Sequence, residues 1–196
     1  MFVILCYYVT VAFLKVHMII RKDFSKLWAQ IDITDDVRKK LIMHAEDILS
    51  SDKYHATCEF IQHGDVSVYE HCLMVAACAI KINEAFKIKC NERALVRGAL
   101  LHDYFLYDWH DHESEGNIHP NLHGFYHPGI ALKNANRDFL LSKIEQDIIK
   151  KHMWPLTIVP PACREAWVVT MADKYSSFLE TVKIRKGHGK KRPKYA

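Results

Sequence analysis

Cysteines spaced as Cys-x-x-Cys are missing from this 196-residue chain, although it holds six, Cys6, Cys58, Cys72, Cys78, Cys90 and Cys163. With no such pair and no regular framework, neither a disulfide scaffold nor a structural zinc knot is expected, and the reading is a reducing, cytoplasmic compartment. A large surplus of one charge is also missing, with 27 basic against 23 acidic side chains and a formal net charge of only +4. Much of that surplus lies in the tail at 183–196, read as a solvated end or a polyanion-binding arm. The near-neutral remainder argues against a broad nucleic-acid face. No alternating strand pattern of any length and no internal repeat occurs, so the expected fold class is all-α, a single-domain helical bundle. At this length one core and one domain are expected.

The apolar opening, residues 1–20, lacks a basic n-region and an A-x-A cleavage site, and Lys15 and His17 interrupt it. It is a poor signal peptide and a short membrane span. Three readings stay open: an upstream extension with the start at Met18, a membrane anchor, or a docked segment. Contact with a membrane is expected only through these residues. The expected organisation is the extension at 1–20, a helical domain at 21–182 and the basic tail.

What is present is helical periodicity. Val37, Leu41, Ile42, Ala45, Ile48 and Leu49 fall on one face, with Thr34 or Asp35 as N-cap. A polar connection, the stretch from Tyr54 to Gln62 and the breaker His63-Gly64-Asp65 precede a long helix from about Ser67 to Ala85. Asn91 reads as the N-cap of the next helix, in which Ala94, Gly98 and Ala99 permit close packing. Pro128 suits the first turn of a helix through Ala135, Lys143 to Met153 makes another, and Ala162 to about Val182 the last.

Histidine is abundant, with thirteen in the chain. His71, His102 with Asp103, His127, His152 and Asp173 each lie on or beside an expected helix. Imidazole and carboxylate suit Fe, Mn, Co, Zn or Mg, and a polar pair ending the apolar run Ala99-Leu100-Leu101 costs stability unless something such as a metal compensates. A bundle can gather such residues in its core. His71, His102, Asp103 and Asp173 would fill four positions on one ion, and His127 and His152 could hold a second, with Asp103 as the bridge.

This ordered set resembles the HD-domain superfamily of metal-dependent phosphohydrolases, whose pattern is H…HD…D on a helical bundle. The resemblance runs from about Val66 to Glu180. His71 is similar to the first histidine of that pattern, Leu100-Leu101-His102-Asp103 to the defining pair and Asp173 to the closing aspartate. His127 and His152 resemble the extra histidines of binuclear members. The chain departs from the cyclic-dinucleotide phosphodiesterases of the superfamily by lacking their Gly-Tyr-Pro element and the Gly-Lys after the pair. Leu106 stands where several nucleotidase members carry a glutamate.

The resemblance implies one or two divalent metal ions and hydrolysis of a small phosphate ester, a nucleotide or a related phosphomonoester or diester, through a metal-bound hydroxide. Arg97, Lys151 and Lys174 are the candidate phosphate-binding cations. Asp103 is the candidate catalytic bridge, and His123 or Asp108 would protonate the leaving oxygen or orient water. The polar loop at 109–123, with His110, His112 and His119, is long enough to suggest a role in substrate selection. Two other readings remain open, a di-iron oxygenase on the same bundle and a non-catalytic, metal-stabilised domain that senses a nucleotide. Oligomeric state is not legible.

Overall fold

A computed structural model describes residues 34–63, 66–107 and 123–185. The chain divides into two compact units, Met1–Arg38 and Lys39–Ala196. The apolar segment at 1–20, Asp108, the loop at 109–122 and residues 186–196 of the basic tail lie outside the described residues. In the first unit the described residues open a helix, where Thr34 accepts from Arg38 N at 2.9 Å through its carbonyl.

Seven α-helices occur among the described residues: α1 Asp35–Leu49, α2 Asp52–His55, α3 Val68–Ala85, α4 Glu92–Leu101, α5 His123–Asp138, α6 Lys143–Lys151 and α7 Arg164–Arg185. A 3-10 turn, Ala56–Glu59, follows α2. The fold is all-α, as expected, apart from a short antiparallel ribbon of β1 Ile61–His63 and β2 Val66–Ser67. Strands this short have no room to display alternation. Gly64 and Asp65 of the breaker lie outside the described residues, between the two strands.

Caps account for the helix starts. Ser67 and Glu70 form a reciprocal capping box at the start of α3, and Ser142 and Glu145 do the same for α6. Asn91 accepts from Ala94 N at 3.0 Å and begins α4. Each cap satisfies amides that the first turn leaves without intrahelical partners.

In the second unit α3 packs on α4 and α7, α4 on α6, and α6 on α5 and α7. Val75, Ala79, Leu95, Leu100, Leu101, Ile148, Ile149, Val169 and Ala172 are buried there. Gly98 sets the approach of α4 to α6, because a Cβ at that position would run into Ile148. Helix α5 starts five residues before the proline, so Pro128 lies inside it rather than in its opening turn. The N1 preference of proline is a tendency, and here the helix tolerates a missing amide donor beyond its first turn.

Candidate metal centre

Five helices each deliver one part of the site. His71 lies in the first turn of α3, and its position there follows directly from the Ser67 cap. His102 is the C-cap of α4, and Asp103 follows it. His127 stands on α5 just before Pro128, His152 is the C-cap of α6, and Asp173 lies midway along α7. All six are buried, with exposures between 0% and 4%. Two carboxylates and four imidazoles removed from water require partners of opposite character.

The partners are each other. Asp103 Oδ1 lies 3.1 Å from His127 Nε2 and 3.3 Å from His152 Nε2. Its Oδ2 lies 3.4 Å from His102 Nε2 and 3.8 Å from His71 Nε2. Asp173 Oδ1 closes the second group, 3.3 Å from His71 Nε2 and 3.8 Å from His102 Nε2. His127 Nε2 and His152 Nε2 are 2.8 Å apart. The two oxygens of one carboxylate therefore face two different sets of imidazoles.

Ring orientation is set from outside the cluster. His71 Nδ1 donates to Glu180 at 3.0 and 3.2 Å, His102 Nδ1 to the Ala99 carbonyl at 2.7 Å, and His152 Nδ1 to the Ile149 carbonyl at 2.9 Å. Holding the proton on Nδ1 turns the Nε2 lone pairs inward, which is the arrangement a metal-binding histidine needs. The carbonyl acceptors belong to the last turns of α4 and α6, so helix termination itself aims these two rings. Beside Asp103, a small core of Val68, Cys72 and Phe105 is packed against Phe60, Tyr107 and Ile130. It holds the turn that carries the carboxylate.

Electrostatics follow from this packing. Burial disfavours the imidazolium of His71, but hydrogen bonds to Asp173 and Glu180 outweigh it and raise the pKa to about 10. His102 is also raised, its burial overcome by the charge of Asp103. Burial holds His152 down at about 4 despite Asp103. Asp103 and Asp173 stay well below the usual carboxylate range, burial being outweighed by His102 and His127 for the first and by Lys174 and His71 for the second. The shifts of His71 and His102 both favour the imidazolium, so an ion entering here would compete with protons.

Three overlapping sets of side chains bring their ligand atoms close enough together to hold an ion: His71, His102 and Asp103; His102, His152 and Asp173; and Asp103, His127 and His152. His102 Nε2 and Asp103 Oδ1 are buried with no hydrogen-bond partner. Nitrogen and carboxylate oxygen donors with such orphaned atoms fit a divalent cation.

The remaining candidates are dispersed. Lys174 Nζ sits at the edge of the cluster, 2.8 Å from Asp173 Oδ2 and 3.4 Å from the His152 carbonyl. Lys151 is drawn to Asp147 at 2.5 Å, on its own helix. Arg97 is buried and engaged on three sides, by Asp47, by Glu145 at 3.0 Å and by the Leu140 carbonyl at 3.2 Å. Its guanidinium ties α1, α4 and α6 together. Asp108 lies outside the described residues, as does the side chain of His123.

Two further residues, Glu180 and Gln62, take part in the cluster. Glu180 shares a face of α7 with Asp173 and Ser177, and Ser177 Oγ donates to Asp173 Oδ1 at 3.2 Å. The spacing of four and then three residues is a helical signal present in the sequence. Gln62 Nε2 donates to Asp103 Oδ2 at 2.6 Å from the ribbon, where no periodicity points to it.

Among known protein families, the HD domain family model matches residues 68–177. No curated protein and no solved structure matches the chain.

Proposed function

The chain belongs to the HD domain family, and from that membership and the ligand set we propose that it is a metal-dependent phosphohydrolase acting on a small phosphate ester. The proposed substrate is a nucleotide or a related phosphomonoester or diester. One observation carries the reading: Asp103 divides its two oxygens between His127 and His152 on one side and His71 and His102 on the other. In this reading His71, His102, Asp103 and Asp173 hold one ion, and His127 and His152 with Asp103 hold a second. A divalent ion bound here would lower the pKa of water towards neutrality and polarise a phosphoryl oxygen.

The chain's own residues supply the rest. Glu180 and the carbonyls of Ala99 and Ile149 hold three rings in their binding tautomers, and burial excludes bulk water. Lys174, with a side chain 36% exposed beside Asp173, is placed to meet an incoming phosphate. Lys151 belongs to the α6 surface and would reach a phosphate only by leaving Asp147. Asp108 and His123 remain the proposed proton carriers.

Elemental analysis of anaerobically purified protein, combined with a phosphatase and phosphodiesterase panel at added Mn, Co, Fe, Mg or Zn, tests this reading. Metal-dependent turnover that is lost in His102→Ala is expected. Metal-loaded protein that hydrolyses nothing in the panel, with His102→Ala indistinguishable from the parent, overturns it. Oxygen consumption by an iron-loaded protein would assign the cluster to oxygenase chemistry instead.

A further inference from the structure

Gln62 stands apart from the matched family region, on the ribbon that precedes α3. It is buried, with 6% exposure. Its backbone is fixed by the ribbon, whose register pairs Ile61 with Ser67 and His63 with Val66, and by Val68 N donating to the Phe60 carbonyl at 2.9 Å. The side chain points at the cluster, where Nε2 meets Asp103 Oδ2 at 2.6 Å. A carboxylate only accepts, so the NH2 face of the amide is committed to Asp103 and the carbonyl face is turned the other way.

That carbonyl has nothing to accept from. Gln62 Oε1 is buried and has no hydrogen-bond partner among the described residues. Covalent geometry keeps it about 2.2 Å from Nε2, and hence within about 5 Å of Asp103 Oδ2. Asp103 Oδ1 and His102 Nε2 lack hydrogen-bond partners at the same centre. A buried acceptor left unsatisfied beside a reactive cluster calls for a donor that arrives with the chemistry. Lysine and arginine do not supply it: Arg97 is engaged elsewhere, and the bonds of Lys174 run to Asp173, Met153 and the His152 carbonyl.

We propose that Gln62 is a catalytic residue of this site, its Oε1 accepting a hydrogen bond from a water held beside Asp103 and orienting that water for attack. An amide does not take up the proton, so its contribution is orientation: the water donates one O–H to Oε1 and keeps a lone pair facing the substrate, and as its oxygen bonds to phosphorus and the ester P–O bond breaks, a water proton ends on the leaving oxygen. The donor arm of the same side chain keeps Asp103 in place. One residue thereby couples the carboxylate to the nucleophile. This assignment rests on the hydrolytic reading for its consequence, but the water-binding claim stands or falls independently of turnover.

A high-resolution crystal structure of the metal-loaded wild-type protein tests the binding claim without any variant. Ordered water within hydrogen-bond distance of Gln62 Oε1 is expected, and an Oε1 bonded to a protein group or facing a dry cavity overturns the proposal. The kinetic arm uses Gln62→Met, which keeps length and apolar bulk but removes both amide functions. At full metal content by elemental analysis, kcat is expected to fall roughly tenfold to a hundredfold with KM little changed. A fall in activity that merely tracks lost metal, or no fall, assigns Gln62 a supporting role only and overturns the catalytic one. If the wild type turns over no phosphate ester, the hydrolytic reading fails, while the crystallographic water still decides the Gln62 contact.

Discussion

Arg97 and His71 are both buried cations in the metal-free protein, yet they answer to different partners and predict different experiments. Arg97 is 2% exposed and its Nε faces Glu145, which is 3% exposed. Removing the guanidinium leaves that carboxylate buried without its partner. Arg97→Ala is expected to lower the unfolding free energy by about 3–5 kcal/mol in urea titration. The activity of the fraction that remains folded should be unaltered, since the side chain serves the bundle.

His71 and His102, by contrast, must exchange a proton for a metal. The proton on His71 is held up to about pH 10, so at pH 8 that ring is charged, and His102 also titrates above its ordinary range. His152, held near 4, is already neutral there. Because a ligand needs its lone pair, metal binding at pH 8 should expel at least the proton of His71, and affinity should rise with pH until His71 deprotonates by itself. Calorimetry in two buffers of different ionisation enthalpy reads the number directly. A buffer-independent heat would contradict this account.

At the scale of elements, the helices matter through where they begin and end. A one-residue shift in the start of α3 would rotate His71 by about 100° around the helix axis, away from Asp103. The Ser67 and Glu70 box prevents this. The contact of α4 with α6 is equally specific. An alanine at Gly98 would meet Cβ and Cγ2 of Ile148 at 3.0 Å as well as Cδ1, so rotating the isoleucine cannot relieve the clash. Overpacking costs about 1–3 kcal/mol, against which alanine recovers at most about 1 kcal/mol of helix propensity. Gly98→Ala is therefore expected to lower the melting temperature. It should also weaken metal binding, because α6 carries His152 at its end; wild-type affinity in this variant would show that the spacing is not transmitted to the centre.

Taken as a whole, the second unit is a bundle whose core includes a polar centre supplied by five helices. Since unfolding scatters those residues, a bound ion stabilises the folded state by mass action, by about 2.7 kcal/mol at a free metal concentration of 100 Kd. Thermal unfolding with and without chelator should show that gain. Asp103→Asn is expected to reduce both metal stoichiometry and the metal-dependent increase in melting temperature, because its two oxygens serve both ligand groups. His127→Ala should remove mainly the second ion. Equal losses in the two variants would argue against the division of ligands proposed for Asp103. Among the described residues no helix is long and apolar enough to cross a membrane.

Much of this was legible in local chemistry. Asn91 announces a cap because a short polar side chain accepts from the third amide of a helix, and Gly98 with Ala99 announces a close approach because small residues leave room for one. The clustering of His71, His102, Asp103, His127, His152 and Asp173 follows from ordered polar residues at positions otherwise read as core. Glu180 carries a signal in the sequence, its helical spacing from Asp173. Gln62 had none, since a ribbon of three and two residues is too short for a period, and its direction is set by pairing with the strand across the turn. Arg97 is legible as a cation, but its buried place between Asp47 and Glu145 is not. Whether a guanidinium meets a phosphate or a buried glutamate depends on which helix packs beside it.

The amino-acid sequence alone therefore determined the helical class, the caps and the donor types, because each depends on residues within a few positions of one another. Only the tertiary structure decided that Asp103 faces two groups of imidazoles, that Glu180 and two helix-end carbonyls aim the rings, and that Gln62 reaches the carboxylate from outside the bundle. Those relations join residues tens of positions apart, and they exist only once packing has brought five helices to one point.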